Sequence, residues 1–191
     1  MNTTAYVDTT GIERIHHNYT YTSTSLDSNS QTILTDFHFI KPLVITSDLL
    51  AIEAEKLMRQ SHVRFKLVTN ASNQWVGTIS LKELNNEAII KKVSEGESRN
   101  DILVSDLMTH KTQTLCLEFD QFKFMTIRKL LSHLKDSNLT HCLIADSPNG
   151  EIRGLISASH IAKSLHIDTL DYPHIDFHNL FVRTTKPTLN A

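Results

Sequence analysis

Two Gly-x-x-Ser steps, Gly77-Thr78-Ile79-Ser80 and Gly154-Leu155-Ile156-Ser157, stand 77 residues apart, and each closes the same kind of run. The run starts with an amphipathic helical pattern (51–58; 127–134) and continues into a short apolar strand (63–68; 139–144). A polar turn and a second strand then lead into the Gly-Ser step. Met58 maps onto Leu134 and Val68 onto Ile144 at an offset of 76, and one extra residue in the turn Ser147-Pro148-Asn149-Gly150 raises the later offset to 77. A chain duplicated in this way folds as two copies that bury together the faces neither can bury alone. A ligand cleft is therefore expected between the copies.

The periodicity fixes the element types. Ile127, Leu130, Leu131 and Leu134 fall at i, i+3, i+4 and i+7, an apolar stripe with Arg128, Lys129 and Lys135 outside it. Asp120 is the expected N-cap of that helix. In the first copy Ser47 or Asp48 serves as cap, and Leu50, Ala54, Leu57 and Met58 form the matching stripe. Phe65-Lys66-Leu67-Val68 and His141-Cys142-Leu143-Ile144 are short apolar runs bounded by Asn, Ser and Gly, as in covered strands. Trp75 and Ile152 take equivalent places in the returning strands. Each copy reads strand–helix–strand–strand–helix, an α+β unit.

At 191 residues the chain is long enough for a substantial core, and 40% hydrophobic with 21% charged residues is an ordinary globular balance. A net charge of -2 lacks the basic excess of a nucleic-acid binder. No apolar stretch approaches the roughly 20 residues that span a bilayer, and the N-terminus lacks a secretory signal pattern, so a cytoplasmic protein is expected. Cys116 and Cys142 make neither a zinc nor a disulfide framework. Residues 1–35 are rich in Thr, Ser and Asn and are expected to be largely flexible, with 12–21 able to add an accessory strand. The first repeat spans 36–90, a charged linker containing Gly96 spans 91–101, the second repeat spans 102–166, and a tail spans 167–191. Ile175, Phe177, Leu180 and Phe181 suggest that this tail docks on the body.

The order of elements, the segment Val104-Ser105-Asp106-Leu107-Met108-Thr109 and the two Gly-x-x-Ser steps resemble the cystathionine-β-synthase (CBS) domain. The whole resembles a tandem CBS pair, or Bateman module, over about residues 36–166. The resemblance implies two β-α-β-β-α repeats packed about a pseudo-twofold axis. It also implies adenosine ligands (AMP, ADP, ATP or S-adenosylmethionine) in the clefts, no required cofactor, and a homodimer stacked as a disc of four copies. Carried onto this chain, the nucleotide-binding positions are Thr46, Lys66, Ser80 and Glu83 with His141, Ser157 and His160.

The residues give that expectation a physical basis and two departures. A glycine lets its strand approach the other copy without a Cβ in the way. The Ser hydroxyl stands where free backbone N–H groups at a helix start favour a phosphate. The resembled pattern continues, three residues after the Ser/Thr, with an Asp whose carboxylate accepts from ribose hydroxyls. Here Glu83 keeps the acceptor on a longer stem, whereas His160 offers one acceptor at most. The Pro of the middle strand is replaced by Lys66 and Cys142, and Lys66 suggests a phosphate contact. Arg64, His141 and Arg153 are further candidates to balance an anion, set against the plainer reading of strand-edge charges facing water.

Other chemistries have thinner support. His174 and His178, at i, i+4 near Asp171 and Asp176, allow a metal-dependent enzyme, but they follow Pro173 in a tail of little helical character and lack a His-Glu-x-x-His pattern. His16-His17 is weaker. Cys142 belongs to a core strand, Cys116 has no base partner, and neither serine sits in a Gly-x-Ser-x-Gly elbow. The chain is expected to be no enzyme, to bind no nucleic acid or membrane, and to regulate an unknown protein partner. The alternative within the same fold is a ligand-free scaffold acting through protein contacts alone.

Overall fold

The computed structural model describes residues 24–96, 98–169 and 174–185; the expected accessory strand at 12–21 and His16-His17 lie outside them. Two four-stranded sheets are each covered on one face by helices. The first repeat supplies β2 (Val44–Thr46), α1 (Ala51–Gln60), β3 (Phe65–Thr69), β4 (Trp75–Ser80) and α2 (Asn86–Ser94). The second is entered through α3 (Val104–Leu107) and β5 (Thr109–His110). It continues with β6 (Cys116–Glu118), α4 (Phe119–Phe122), α5 (Ile127–Leu134), β7 (His141–Asp146), β8 (Glu151–Ser157) and α6 (Ala158–Ser164). The duplication extends to register. β3 meets β4 with Val68 opposite Gly77, β7 meets β8 with Ile144 opposite Gly154, and both ladders carry an irregularity at the next residue.

The fourth strand of each sheet is borrowed. β5, which leads into the second repeat, pairs with β4 of the first. β1 (Thr35–Asp36), which leads into the first repeat, pairs with β8 of the second. The exchange continues upstream: the Ala51 N–H donates to the Ile102 carbonyl at 2.8 Å and the Ile127 N–H to the Ser28 carbonyl at 3.0 Å. Residues 26–36 therefore play the part of 100–110. From residue 24 the N-terminal stretch is integral to the fold: the 3-10 turn Ser30–Ile33 matches α3, and both Ser30 and Ile33 are fully buried.

Packing also moves other expected boundaries. α2 runs through Ser94, so the stretch read as a linker from residue 91 opens with helix. The N-cap of α5 is Thr126, whose hydroxyl accepts from the Lys129 N–H at 3.2 Å; Asp120 belongs to the separate α4. α1 begins after Leu50 with no side-chain cap, so neither Ser47 nor Asp48 has that role. Its buried stripe is Ala51, Ala54 and Met58, and Leu57 is half exposed. The tail does form a helix, α7 (Phe177–Thr185), with Phe177 and Leu180 fully buried.

Each helix layer closes its own core. Ile45, Val68 and Ile79 pack with α1 and α2, while Ile144 and Ile156 pack with α5, α6, α7 and the Ser30–Ile33 turn. Strand alternation sends the neighbouring residues to the opposite face, where the two sheets meet. Leu67 and Leu143, equivalent positions, are buried there outside both helix-side cores.

Candidate functional site

Each Gly-Ser corner forms where a borrowed strand presses on a glycine. A Cβ on Gly77 would run into the Thr109 carbonyl and lie 3.1 Å from Met108 Sδ. One on Gly154 would lie 2.7 Å from the Thr35 carbonyl and 2.8 Å from Leu34 Cδ1. Met108-Thr109 and Leu34-Thr35 are the same two positions of the entry segments. The close approach expected at these glycines is thus made by the strand that belongs to the other copy.

Three residues on, the corners sit beside the pseudo-twofold axis. Phe65 pairs with Ser80 across β3–β4, and its equivalent His141 pairs with Ser157 across β7–β8. The Phe65 and His141 rings stack with centroids 4.5 Å apart and 16° between planes. Directly opposed residues of antiparallel strands share a sheet face. Ser80, Phe65, His141 and Ser157 therefore form one continuous row on the inter-repeat face. His141 is held neutral: burial, and secondarily the Arg64 guanidinium, push its pKa down to about 4. Its Nδ1 lies 2.9 Å from Thr140 Oγ1.

The two ends of the row differ. At the Ser80 end Glu83 turns back, its Oε2 accepting from the Ser80 N–H at 2.7 Å and from the Ser80 hydroxyl. The following helix starts only at Asn86, capped by Asn85, so the expected helix N-terminus is absent at Ser80. At the other end Ser157 is itself the N-cap of α6, its hydroxyl accepting from the His160 N–H at 3.1 Å. Partial burial, then Lys163, lower the His160 pKa, so this end presents a neutral ring in place of a carboxylate.

Two predicted positions are not brought to this row. Lys66 pairs with Ile79, a core residue, so it projects to the helix side; its Nζ reaches the Val44 carbonyl at 3.4 Å. Its counterpart Cys142 is buried in the other core, where burial raises the thiol pKa to about 12. Thr46 shares the inter-repeat face but is in register with Thr69, four residues along β3 from Phe65, about 13 Å at ~3.3 Å per residue. Arg153 is also committed: Nε and Nη2 donate to the two Asp36 carboxylate oxygens at 2.9 and 2.8 Å. Its guanidinium carbon lies 4.7 Å from the centre of the Phe119 ring. Sequence reasoning missed Phe65, although its place opposite Ser80 follows from the hairpin once the register is set.

The tail histidines do not form a pair. His174 precedes α7 and meets Arg64 Nη1 at 3.2 Å, whereas His178 Nδ1 faces the Lys135 carbonyl at 2.7 Å. Asp171 lies outside the described residues, and among these no group of three or more metal-ligating side chains lies together. No described helix is long and apolar enough to cross a membrane.

No family model and no curated protein matches the chain. Solved structures do. An uncharacterized conserved protein from Pyrococcus horikoshii is 20% identical with a TM-score of 0.53, over 74% of this chain and 94% of that one. CBSX2, solved in complex with AMP, is 16% identical with a TM-score of 0.53, over 71% and 94%. A CBS domain protein from Streptococcus pneumoniae is 22% identical with a TM-score of 0.51, over 71% and 85%. The chain has the α+β fold of a tandem CBS-domain pair: two repeats, each completed by a strand from the other's entry segment.

Proposed function

We propose that this chain is a cytoplasmic regulatory module, without catalytic activity of its own, that binds an adenosine nucleotide between its repeats and signals to a partner protein as a homodimer. The observation that carries the reading is the row Ser80–Phe65–His141–Ser157 with a carboxylate at one end only. In this reading the ribose hydroxyls displace the Ser80 hydroxyl from Glu83, and the adenosine lies near the Phe65–His141 stack. Ser157 and His160 form a weaker second half-site, and Lys66 takes no part. That CBSX2 was solved with AMP supports the ligand class. Because the stack and both borrowed strands join the repeats, an occupant touching both shifts their relative orientation. That shift is limited by its differential affinity for the two arrangements.

A second reading, a scaffold acting through protein contacts alone, is favoured by one observation: Glu83 and Arg153 already have partners. Thermal unfolding with AMP, ADP, ATP, S-adenosylmethionine and divalent metals separates the two. A nucleotide at 100 times its dissociation constant adds about 2.7 kcal/mol of stability. Removing a charge-assisted acceptor costs about 1.5–3 kcal/mol, so Glu83→Ala weakens binding tenfold or more and His160→Ala does so less. A panel without any nucleotide response favours the scaffold; a response to metal alone restores the enzyme reading.

A further inference from the structure

At two adjacent residues the C-terminal segment is tied to different repeats. From Ile175 onward it belongs to the second. Ile175, Phe177 and Leu180 are buried in that core, the Phe177 N–H donates to the Leu139 carbonyl at 2.9 Å, and His178 faces the Lys135 carbonyl. His174, the residue before, reaches the first repeat instead, its Nδ1 lying 3.2 Å from Arg64 Nη1. A guanidinium only donates, so the imidazole is the acceptor in this contact.

Arg64 stands beside the candidate site. It immediately precedes Phe65 of the row, and its carbonyl accepts from the Leu81 N–H at 3.1 Å, next to Ser80 and the Glu83 corner. Its charge also reaches His141, where burial first and this guanidinium second hold the ring neutral. The equivalent position in the second repeat is Thr140, which is uncharged. A neutral imidazole gives the guanidinium one acceptor, whereas a phosphate offers a charge and two parallel N–H···O bonds. The two compete for the same donors. We propose that the His174–Arg64 contact is a latch holding the tail to the first repeat, and that the phosphate of a nucleotide at the Glu83 corner opens it by taking the guanidinium. Closed, the latch opposes binding. Open, it leaves the tail held by the second repeat alone, so that occupancy of the cleft is reported at the tail. This inference rests on the nucleotide reading above and names the element that passes occupancy on.

Calorimetric titration of the full chain with AMP and with adenosine, which lacks the phosphate, provides the test, together with hydrogen exchange over residues 174–177. AMP should speed exchange there, and adenosine should not. His174→Ala should speed it without ligand and tighten AMP binding about two- to tenfold, what one net hydrogen bond is worth, while leaving adenosine affinity unchanged. His174→Asp, which sets a carboxylate against the guanidinium, should weaken AMP binding at least ~3-fold relative to the unaltered chain. Arg64→Ala should free the tail and make AMP and adenosine bind alike. A role of His174 in folding alone would shift both ligands together and would not order AMP affinity as Ala above His above Asp. AMP binding that ignores the His174 variants, or that leaves exchange at the tail unchanged, overturns the latch while keeping the nucleotide reading. Absence of binding by either ligand, in the unaltered chain and in His174→Ala alike, overturns both.

Discussion

The first and second repeats share a backbone plan and differ in what the rest of the chain does for them. The second is enclosed: α7 and the 24–34 segment cover its helices, Asp36 and Arg153 clamp its borrowed strand, and Ser157 caps its last helix directly. The first has none of these supports among the described residues. His110 and Val76 stand where Asp36 and Arg153 do, and five residues separate Ser80 from Asn86, the start of α2. Duplication thus fixes topology and register, and the segments outside the repeats distribute stability unevenly. The enclosed copy serves as anchor, and the open one retains the carboxylate corner and an exposed helix face.

The sharpest way to break this comparison is to strip each cover in turn. Phe177 is fully buried among residues of the second core, so Phe177→Ala should cost about 3–5 kcal/mol in urea unfolding. Leu57→Ala, measured below the dimer's dissociation constant, should stay within about 0.5 kcal/mol, as surface changes do. Comparable losses would mean that the first repeat is enclosed as well.

The next effect compares the two corners. Each glycine faces a carbonyl of a borrowed strand, so Gly77→Ala and Gly154→Ala should each cost about 1–3 kcal/mol through overpacking. Gly77 should be the more sensitive. Its new methyl meets the Thr109 carbonyl and, at 3.3 Å, His110 Cα, both backbone atoms, whereas Gly154 has as second neighbour the movable end of Leu34. Unfolding curves that rank Gly154→Ala as the worse variant would show that the Asp36–Arg153 clamp holds β1 more rigidly than the closer contact holds β5.

The duplication was legible because apolar period and hairpin spacing are local, and register follows from them: Val68 opposite Gly77 predicts Ile144 opposite Gly154. The exchange of entry strands was not legible, since pairing between residues 35 and 155 leaves no local pattern. A faint signal existed, because Ser30-Gln31-Thr32-Ile33-Leu34-Thr35 ends with the apolar, apolar, Thr sequence of Leu107-Met108-Thr109. It was hidden in a polar stretch. At the candidate site, the positions carried over from the resemblance, Ser80 with Glu83 and Ser157 with His160, lie at the two corners, and His141 lies opposite Ser157. Lys66 was read as a phosphate contact from the strand position at which the resembled family carries Pro, whereas alternation directs its side chain to the core side. Pro173 obscured α7, although Asp176 stands just before it as an N-cap, its carboxylate accepting from the Asn179 N–H at 2.7 Å.

The smallest effect is the most specific to how the two Gly-x-x-Ser steps have diverged. Losing an N-cap hydroxyl typically costs about 1 kcal/mol, because a backbone N–H at the helix start is left without its acceptor. Ser157→Ala should show that cost, since its hydroxyl accepts from the His160 N–H. Ser80→Ala should cost less, about 0.5 kcal/mol, because Asn85 caps α2, the Ser80 N–H keeps its bond to Glu83, and the Lys82 N–H that donates to the Ser80 hydroxyl at 3.2 Å is exposed to water. Asn85→Ala should therefore reproduce, in the first repeat, the loss that Ser157→Ala causes in the second. If Ser80→Ala proves as costly as Ser157→Ala, the Ser80–Glu83 contact is a structural cap and not a site held ready for an incoming hydroxyl. The scaffold reading would then gain at the expense of the nucleotide one.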